Sequence, residues 1–338
     1  MTIHTGRPSD TTGRARRPRT VMVTGAAGFV GSHLCERLLD RGDRVVGLDA
    51  FIDYYPRHIK EGNLYDLRTR PGFRFEEADL RTANLYPLLE DVDVVVHAAA
   101  MPGLPKSWVD FELYGSCNLL ATQRLAEAAR VVGLDKLVYV STSSVYGADA
   151  VGDENLVKKP ISPYGVTKLA AEHLLEAYHA AFDLPVVTLR YFSVYGPRQR
   201  PDMAYNIFIE RLLDGQPLTI FGDGHQTRSN TYVDDCVRGT MAAIDHGPVG
   251  EVFNIGGGEV VSVLDTVRRI EELVGVRADI THVAAREGDQ RCTAADTSRA
   301  RRLLGYRPQV APAEGVELQV AYQQALRDRR TAAALLAG

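Results

Sequence analysis

The chain has 338 residues, of which 45% are hydrophobic and 24% charged, a composition that suits a large globular core with a second, smaller lobe. Its net charge of −4 argues against nucleic acid or an anionic membrane as a partner, and no stretch approaches the ~20 apolar residues of a transmembrane helix. The four cysteines are dispersed, which argues against a metal site or a disulfide framework and fits a reducing, cytoplasmic setting.

The first 19 residues form a polar, arginine-rich stretch. An export signal would need an apolar segment after the arginines, but the chain runs directly into a short strand-like run at residue 21. We therefore expect residues 1–19 to be a disordered tail.

Short apolar runs then alternate with amphipathic stretches. The runs predict strands over residues 21–24, 44–49, 73–77, 92–97, 136–141 and 186–190. The stretches predict helices over residues 30–41, 114–132 and 162–181. Continuous apolar runs such as 93–96 are typical of parallel strands that are buried on both faces. The pattern predicts an α/β fold with a doubly wound parallel sheet.

After residue 195 the pattern changes to loops rich in glycine and proline, with a later helix over residues 263–274. We expect residues 20–195 to form a dinucleotide-binding domain, with a return segment at about 230–256. Residues 196–229 and 257–330 should form a smaller C-terminal α/β lobe that binds the substrate.

A glycine motif follows the first predicted strand and begins a helix, with Gly25, Gly28 and Gly31 three residues apart. Such glycines allow a tight turn and bring the backbone close to a pyrophosphate at the positive end of the helix. A glycine-rich turn without a ligand is the alternative. Asp49 weighs against it, because a carboxylate at the end of the second strand accepts ribose hydroxyls and repels a 2′-phosphate. NAD is therefore predicted rather than NADP, with Asp79 a candidate for the adenine amino group or a plain loop residue.

A tyrosine and a lysine lie four residues apart in the helix predicted over 162–181, which places Tyr164 and Lys168 on one face. The lysine charge is expected to lower the pKa of the tyrosine, so that its phenolate can act as a general base. Hydroxyl residues at 141–144 end the preceding strand, at the sheet edge where α/β proteins bind ligands, and Thr142 could bind the substrate oxygen that loses its proton. A hydroxyl-rich turn is the alternative for this run.

Together these motifs resemble the extended short-chain dehydrogenase/reductase family over residues 20 to about 320. The resemblance implies a Rossmann fold, a recycled NAD and a nucleotide-sugar substrate. It also implies a homodimer that packs the two helices predicted at 114–132 and 162–181. Besides the three glycines, Asp49 and Asp79, the resemblance implies cofactor contacts from Phe29, Val30, Leu80, Ala98, Ala99, Asn118, Tyr164, Lys168 and Tyr191.

The choice of reaction rests on two serines. Members of this family that dehydrate sugars carry Asp-Glu where this chain has Ser143 and Ser144, and decarboxylases usually carry Glu at the second position. Serines cannot readily supply the added acid and base that elimination requires. We therefore expect 4-epimerisation through a transient 4-keto sugar with Tyr164 as base, and decarboxylation is the weaker alternative.

Residues 49–55 and 191–204 are similar to UDP-glucuronate 4-epimerases in particular. That resemblance implies that Arg200 binds a substrate carboxylate, with Ser143 and Ser144 as hydroxyl partners. Ser193 is compatible with the same branch. The alternative is that Arg200 is a surface arginine or pairs with Asp202.

Segments 222–228 and 286–289 resemble the UDP-binding segments of the same family. This resemblance implies phosphate contacts from Arg228 and Arg286 and a uridine ribose contact from Asp289. UDP-glucuronate is thus the expected substrate and UDP-galacturonate the product, with UDP-glucose or UDP-N-acetylglucosamine 4-epimerisation as the alternative.

Overall fold

The computed structural model describes residues 17–337, so all but the last three residues of the expected tail lie outside the described part of the chain. Within residues 17–337 no helix is both long enough and apolar enough to cross a bilayer. The strands are β1 (Thr20–Thr24), β2 (Arg44–Asp49), β3 (Phe73–Glu77), β4 (Val94–His97), β5 (Lys136–Thr142), β6 (Asp149–Gly152), β7 (Val186–Tyr191), β8 (Val194–Tyr195), β9 (Leu218–Phe221), β10 (Thr227–Arg228), β11 (Thr231–Tyr232), β12 (Val252–Ile255), β13 (Val261–Ser262), β14 (Ile280–Val283) and β15 (Cys292–Ala295).

The helices pack on both sides of this framework. They are α1 (Phe29–Asp40), α2 (Arg57–Leu64), α3 (Tyr86–Leu89), α4 (Leu104–Val109), α5 (Phe111–Tyr114), α6 (Ala121–Val132), α7 (Pro163–Phe182), α8 (Ala204–Leu213), α9 (Val233–His246), α10 (Val263–Val274), α11 (Ser298–Leu304) and α12 (Pro312–Ala337). Single 3₁₀ turns lie at Leu67–Thr69 and Ser143–Val145, and a π-helical turn lies at Gly115–Leu120.

The main sheet has seven strands in the order β12-β7-β5-β4-β1-β2-β3, and every pairing in it is parallel. Both faces are buried, because alternate residues of one strand enter different cores: Val21 and Val23 join one cluster and Met22 the other. The predicted doubly wound parallel sheet is confirmed. Its sequence signal was the continuous apolar run in central strands such as β4 and β5, which suits burial on two faces, whereas the edge strand β3 alternates.

A smaller group of strands lies beyond the main sheet. β13, β10, β15 and β6 form a mixed four-stranded sheet, and β14 pairs with β9. Since β12 pairs with β7 in the main sheet, we propose that the chain returns to the first domain at about 230–256. We propose 196–229 and 257–330 for the smaller lobe, to which β6 also contributes although it lies within 20–195.

One predicted helix has a different form. The stretch 114–132 divides into the end of α5, the π-helical turn and α6. The buried side chain of Asn118 lies within that turn and bonds to the backbone of Met101 outside the helix. A π-helical turn adds one residue to the 3.6-residue repeat, so the apolar spacing alone could not reveal it.

Candidate active site

One cavity of about 510 Å³ lies along the carboxyl ends of the parallel strands. It begins beside the glycine turn after β1 and reaches the loops of the smaller lobe. The predicted residues that line it are Gly25, Gly28, Phe29, Val30, Gly31, Asp49, Asp79, Leu80, Ala98, Ala99, Thr142, Ser143, Ser144, Tyr164, Lys168, Tyr191, Ser193, Arg200, Arg228 and Asp289. The fold thus brings together residues that lie up to 264 positions apart in the chain. Two predicted residues, Asn118 and Arg286, are not part of the lining.

The glycine turn forms a cradle that side chains would fill. Gly25 has a φ of +75°, and a Cβ there would lie 3.0 Å from the backbone of Ala99. A Cβ on Gly31 would lie 2.1 Å from the carbonyl oxygen of Gly25. The helix α1 starts directly behind this turn, so its N-terminal backbone N–H groups are available for an anion. These features fit the pyrophosphate of a dinucleotide.

Asp49 lies at the end of β2 beside the cradle. Its carboxylate accepts hydrogen bonds from the N–H groups of Phe51 (2.8 Å) and Ala27 (3.2 Å), and the Lys60 ammonium is 3.8 Å away. These donors fix the carboxylate at the cavity wall, where a ribose hydroxyl is a suitable donor and a further phosphate is not. Lys60 also lines the cavity and was not predicted.

The loop after β3 adds Asp79 and an unpredicted arginine to the cavity wall. Arg81 holds the Asp79 carboxylate with bonds of 2.7 and 3.0 Å, and these bonds lower the pKa of Asp79. Both side chains line the cavity. Asp79 is therefore an ionised acceptor at this wall, with Arg81 as a planar cation beside it.

Asn118 has a different place from the one expected. Its side chain accepts a hydrogen bond from the Met101 N–H (2.6 Å) and donates to the Met101 carbonyl (3.1 Å) and to Thr167 Oγ1 (3.1 Å). All of its amide atoms are therefore engaged within the protein, and it does not line the cavity. In this structure Asn118 supports the wall segment at Met101 that faces the cavity, and a direct contact with the cofactor stays a prediction.

The three expected catalytic side chains meet in the cavity. Thr142 is the last residue of β5, and Tyr164 and Lys168 lie in the first turns of α7. The helix starts there because the Ser162 hydroxyl accepts a hydrogen bond from the N–H of Gly165 (3.2 Å) and proline occupies the first position. Strand end and helix start therefore fix the trio in place.

The electrostatics of Tyr164 differ from the expectation. Burial raises its pKa, while the charge of Arg200 and a hydrogen bond with Thr142 oppose that rise. Lys168, expected to supply the lowering charge, has its own pKa lowered to about 7 by burial, against the opposing charge of Glu172. The Lys168 ammonium instead lies 4.2 Å from the ring centre of Tyr139. The cation that favours the Tyr164 phenolate is thus Arg200.

The two serines after Thr142 are held in different ways. Ser143 is buried, and its hydroxyl donates to the Gln290 side chain (3.1 Å), whose amide donates to the carbonyls of Ser143 (3.1 Å) and Gly147 (2.8 Å). Ser144 accepts a hydrogen bond from the Thr142 hydroxyl (3.2 Å). No carboxylate stands at either position, and Gln290 is a neutral cavity residue that sequence reasoning missed.

Arg200 lines the cavity and also has an acidic partner. Its guanidinium bonds to both oxygens of Asp202 (2.9 and 3.0 Å), and the Tyr54 hydroxyl donates to the same carboxylate (3.2 Å). The pairing with Asp202 that was the alternative therefore exists, together with the cavity position. The neighbouring Arg198 instead bonds to Glu36 (2.6 Å) outside the lining. Tyr54 was not predicted as a site residue.

Residues 228 and 286–289 form a second polar region at the cavity. Arg228 bonds to the carbonyls of Thr227 (2.9 Å) and Arg291 (3.0 Å), and burial lowers its pKa. Burial raises the pKa of Asp289, against the charges of Arg286 and Arg228. Arg286 lies outside the cavity lining, and its guanidinium stacks on the Phe221 ring at 3.4 Å.

Two further predicted residues complete the wall. Tyr191 ends β7, and its hydroxyl forms a 2.6 Å hydrogen bond with Thr240. Ser193 is exposed, and its carbonyl accepts from the Thr231 N–H (2.9 Å). Among residues 17–337 no group of three or more His, Cys, Asp or Glu side chains could hold a metal ion.

The comparisons agree with this geometry. The model of the NAD dependent epimerase/dehydratase family matches residues 21–256. An uncharacterised UDP-glucose epimerase, YtcB, of Bacillus subtilis (strain 168) is 46% identical over 90% of this chain and 98% of its own length. A UDP-glucuronate 4-epimerase of Thermodesulfobacterium geofontis (strain OPF15) is 36% identical over 88% of this chain and 94% of its own.

Solved structures show the same likeness. The crystal structure of UDP-glucuronic acid 4-epimerase from Bacillus cereus, in complex with UDP-glucuronic acid and NAD, is 47% identical with a TM-score of 0.89. The alignment covers 91% of this chain and 99% of that one. With its parallel sheet, its glycine cradle and the matching family model, the chain belongs to the NAD-dependent epimerase/dehydratase family.

Proposed function

We propose that this protein is an NAD-dependent 4-epimerase of UDP-sugars that interconverts UDP-glucuronate and UDP-galacturonate. The observation that carries the proposal is the guanidinium of Arg200 in the same cavity as the Tyr164 hydroxyl. A planar guanidinium is the group that best matches a carboxylate, the feature that distinguishes a uronate from a neutral hexose. The UDP-glucuronate 4-epimerases among the relatives support the same substrate.

In the proposed reaction Tyr164 removes the proton of the sugar 4-hydroxyl, and Thr142 binds the same oxygen. When bound, NAD supplies the hydride acceptor at carbon 4 and later the donor. The resulting 4-keto sugar turns over in the cavity, and Tyr164 returns the proton after reduction on the other face. Lys168 binds the nicotinamide ribose, and the glycine cradle and Asp49 hold the pyrophosphate and the adenosine ribose. No net change in the cofactor results.

The neutral residues beside the trio favour epimerisation over competing reactions. A 4-keto uronate is a β-keto acid, which loses carbon dioxide once its carboxylate aligns with the ketone. Hydrogen bonds from Arg200 and Ser144 would hold that carboxylate and slow the loss, and Ser143 would join them by giving up its bond to Gln290. Eliminating water would need an acid and a base that serines do not supply. UDP-glucuronate decarboxylation is thus the weaker alternative.

For the nucleotide, we propose that Arg228 binds the diphosphate and that Asp289 accepts the uridine ribose hydroxyls. Arg286 would act through Asp289, whose carboxyl its charge favours in the ionised form. The phosphate contact expected of Arg286 stays a proposal, and it would require the guanidinium to leave the Phe221 ring.

A neutral UDP-hexose is the second candidate substrate. The Arg200–Asp202 pair favours it, because an arginine that already has a carboxylate partner has less charge to offer a uronate. The name of the relative YtcB, a UDP-glucose epimerase, points the same way. Both reactions use the same trio and the same cofactor.

To test the proposal, the purified protein is incubated separately with UDP-glucuronate, UDP-glucose and UDP-N-acetylglucosamine, and the products are separated. We expect the 4-epimer of UDP-glucuronate to form fastest, without carbon dioxide release or net NADH. A faster neutral sugar would replace the substrate assignment by the second candidate. If none of the three yields a 4-epimer, the proposed function is wrong.

We also propose a cytoplasmic homodimer. Apolar side chains on α6 and α7 are exposed in the single chain: Val131 (55%), Val166 (47%) and Phe182 (53%). Burying them against a second copy would remove this surface from water. We expect sedimentation to give twice the chain mass and Val166→Glu to give the monomer. A native protein that sediments at the chain mass at micromolar concentration would exclude the homodimer.

A further inference from the structure

A cluster of buried charges lies directly behind the trio and has no role in the reaction described above. Glu172 lies in α7, one turn beyond Lys168, and its carboxylate is paired with the guanidinium of Arg190 in β7. Both side chains are almost fully buried, with 7% and 4% of their surface exposed. Desolvating two charges is costly, and a hydrophobic pair of the same volume would often be no less stable. The stability of the sheet alone therefore does not account for this pair.

The carboxylate of Glu172 joins three elements that carry site residues. Arg190 donates to it from Nε (3.1 and 3.2 Å) and from its terminal nitrogen (2.6 Å). The hydroxyl of Ser141 donates to it from β5. Ser141 immediately precedes Thr142, and Arg190 immediately precedes Tyr191. The cluster thus connects the helix of Tyr164 and Lys168 to the strands of Thr142 and Tyr191.

Several neighbours set the charge balance around Lys168. On β4, His97 is fully buried, and burial together with the Lys168 charge lowers its pKa to about 3, so it is neutral. On β5, the ring of Tyr139 lies under the ammonium, and burial together with the Glu172 charge keeps the pKa of that phenol well above its usual value. On α7 itself, Tyr164 is uncharged at neutral pH because burial raises its pKa.

The guanidinium of Arg190, the partner of the Glu172 carboxylate, has further hydrogen-bond acceptors. The Arg190 guanidinium donates to the Tyr146 hydroxyl (2.9 Å) and to the Glu154 carbonyl (3.1 Å). The carboxylate of Glu154 points away toward the Asn254 N–H (2.7 Å). Among the described groups that face Lys168, Glu172 is thus the negative charge that favours the ammonium, with Arg190 as its counter-charge.

We propose that Glu172 is a positioning residue of the active site. Its carboxylate favours the charged form of Lys168 and fastens α7 to β5 and β7. Burial alone would remove the charge from a lysine at neutral pH, and a neutral amine would bind ribose hydroxyls only as a weaker donor. The proposal rests on the role proposed for Lys168, but it does not depend on which sugar is turned over.

The titration of Lys168 can be followed directly by NMR. The chain has only six lysines, so selective ¹³C labelling of their ε carbons gives a simple spectrum, and the Lys168 signal is assigned by its loss in Lys168→Arg. In Glu172→Gln we expect the Lys168 midpoint to fall by about one pH unit or more. In Arg190→Gln, which leaves the carboxylate without its counter-charge, we expect the midpoint to rise.

Glu172→Gln and Arg190→Gln should shift the Lys168 midpoint in opposite directions, so the test remains decisive if one of the two variants does not fold. The matched control is Glu271→Gln, which removes a buried glutamate of α10 that bonds to Arg277 (2.9 Å) away from the cavity. It should lower Tm without moving the Lys168 midpoint. A Lys168 midpoint unchanged in folded Glu172→Gln, or shifted downward in Arg190→Gln, would overturn the proposal.

Turnover gives a second readout. If UDP-glucuronate is epimerised, the pH at which kcat stops rising should move lower in Glu172→Gln, because Lys168 then loses its proton at lower pH, and KM should change little. A kcat that stops rising at the wild-type pH would contradict the proposal even if the variant is slower. If the wild-type protein forms no 4-epimer, the proposed function fails, but the NMR titration still tests Glu172.

Discussion

Replacing Tyr164 by phenylalanine is expected to lower kcat for 4-epimerisation by about 10²- to 10⁴-fold, the usual contribution of a positioned acid or base. The phenol is the cavity group that shares a hydrogen bond with Thr142 and feels the charge of Arg200. Phenylalanine keeps the ring beside Tyr114, whose centroid is 6.4 Å away, and removes only the hydroxyl. Bound NAD and substrate should therefore be retained.

The measurement is initial rate at saturating UDP-sugar, with NAD content determined on the same sample. Tyr178→Phe is the matched control, because Tyr178 lies on the same helix but outside the cavity, and its hydroxyl bonds to Gln123 (3.1 Å). It should keep kcat within about twofold of the wild type. A Tyr164→Phe protein that retains NAD and a kcat within about fivefold of the wild type would reject Tyr164 as the base.

The pH profile checks the same role. Since burial holds the pKa of Tyr164 above its ordinary value, the phenolate is the minor form at neutral pH. The wild-type kcat should therefore increase as pH rises, until either the phenol is ionised or Lys168 loses its proton. A kcat that falls steadily from pH 6 to pH 8 would contradict a tyrosine base.

The fold could be predicted because its signals are local. Central parallel strands such as β4 and β5 contain continuous apolar runs, the turn after β1 carries the glycines, and β5 ends in hydroxyl residues. The helix α10 agrees with its predicted range, 263–274, residue for residue. The π-helical turn at Gly115–Leu120 was missed, because it is stabilised by contacts of Asn118 with a distant segment.

The contacts within the site could not be predicted from the sequence where a side chain has several possible partners. Arg286 stacks on Phe221 and Arg228 bonds to backbone carbonyls, and neither choice follows from a motif. Gln290 directly follows Asp289, but its contact with Ser143 joins residues 147 positions apart. The sequence indicated Lys168 as the cation that lowers the pKa of Tyr164, whereas Arg200 has that role in the structure. This difference depends on how deeply the side chains are buried and how far apart they lie, which the sequence does not give.

Substituting Arg200 by alanine should separate the two candidate substrates. We expect kcat/KM for UDP-glucuronate to fall by about 10²- to 10³-fold, because a buried carboxylate would lose its charged partner. The substitution also leaves the Asp202 carboxylate without its guanidinium partner, and its negative charge would repel a uronate. A neutral UDP-hexose has no charge at this position and should lose much less.

The decisive quantity is the ratio of kcat/KM for UDP-glucuronate to that for UDP-glucose. Arg200 also opposes the rise in the pKa of Tyr164, so its loss should slow both sugars somewhat. That shared effect cancels in the ratio, so a change in the ratio reports the contact between Arg200 and the substrate carboxylate. Arg198→Ala is the control, since this neighbouring arginine bonds to Glu36 outside the cavity and should leave the ratio unchanged. Equal losses for both sugars in Arg200→Ala would mean that Arg200 acts only through Tyr164, and the uronate assignment would then fall.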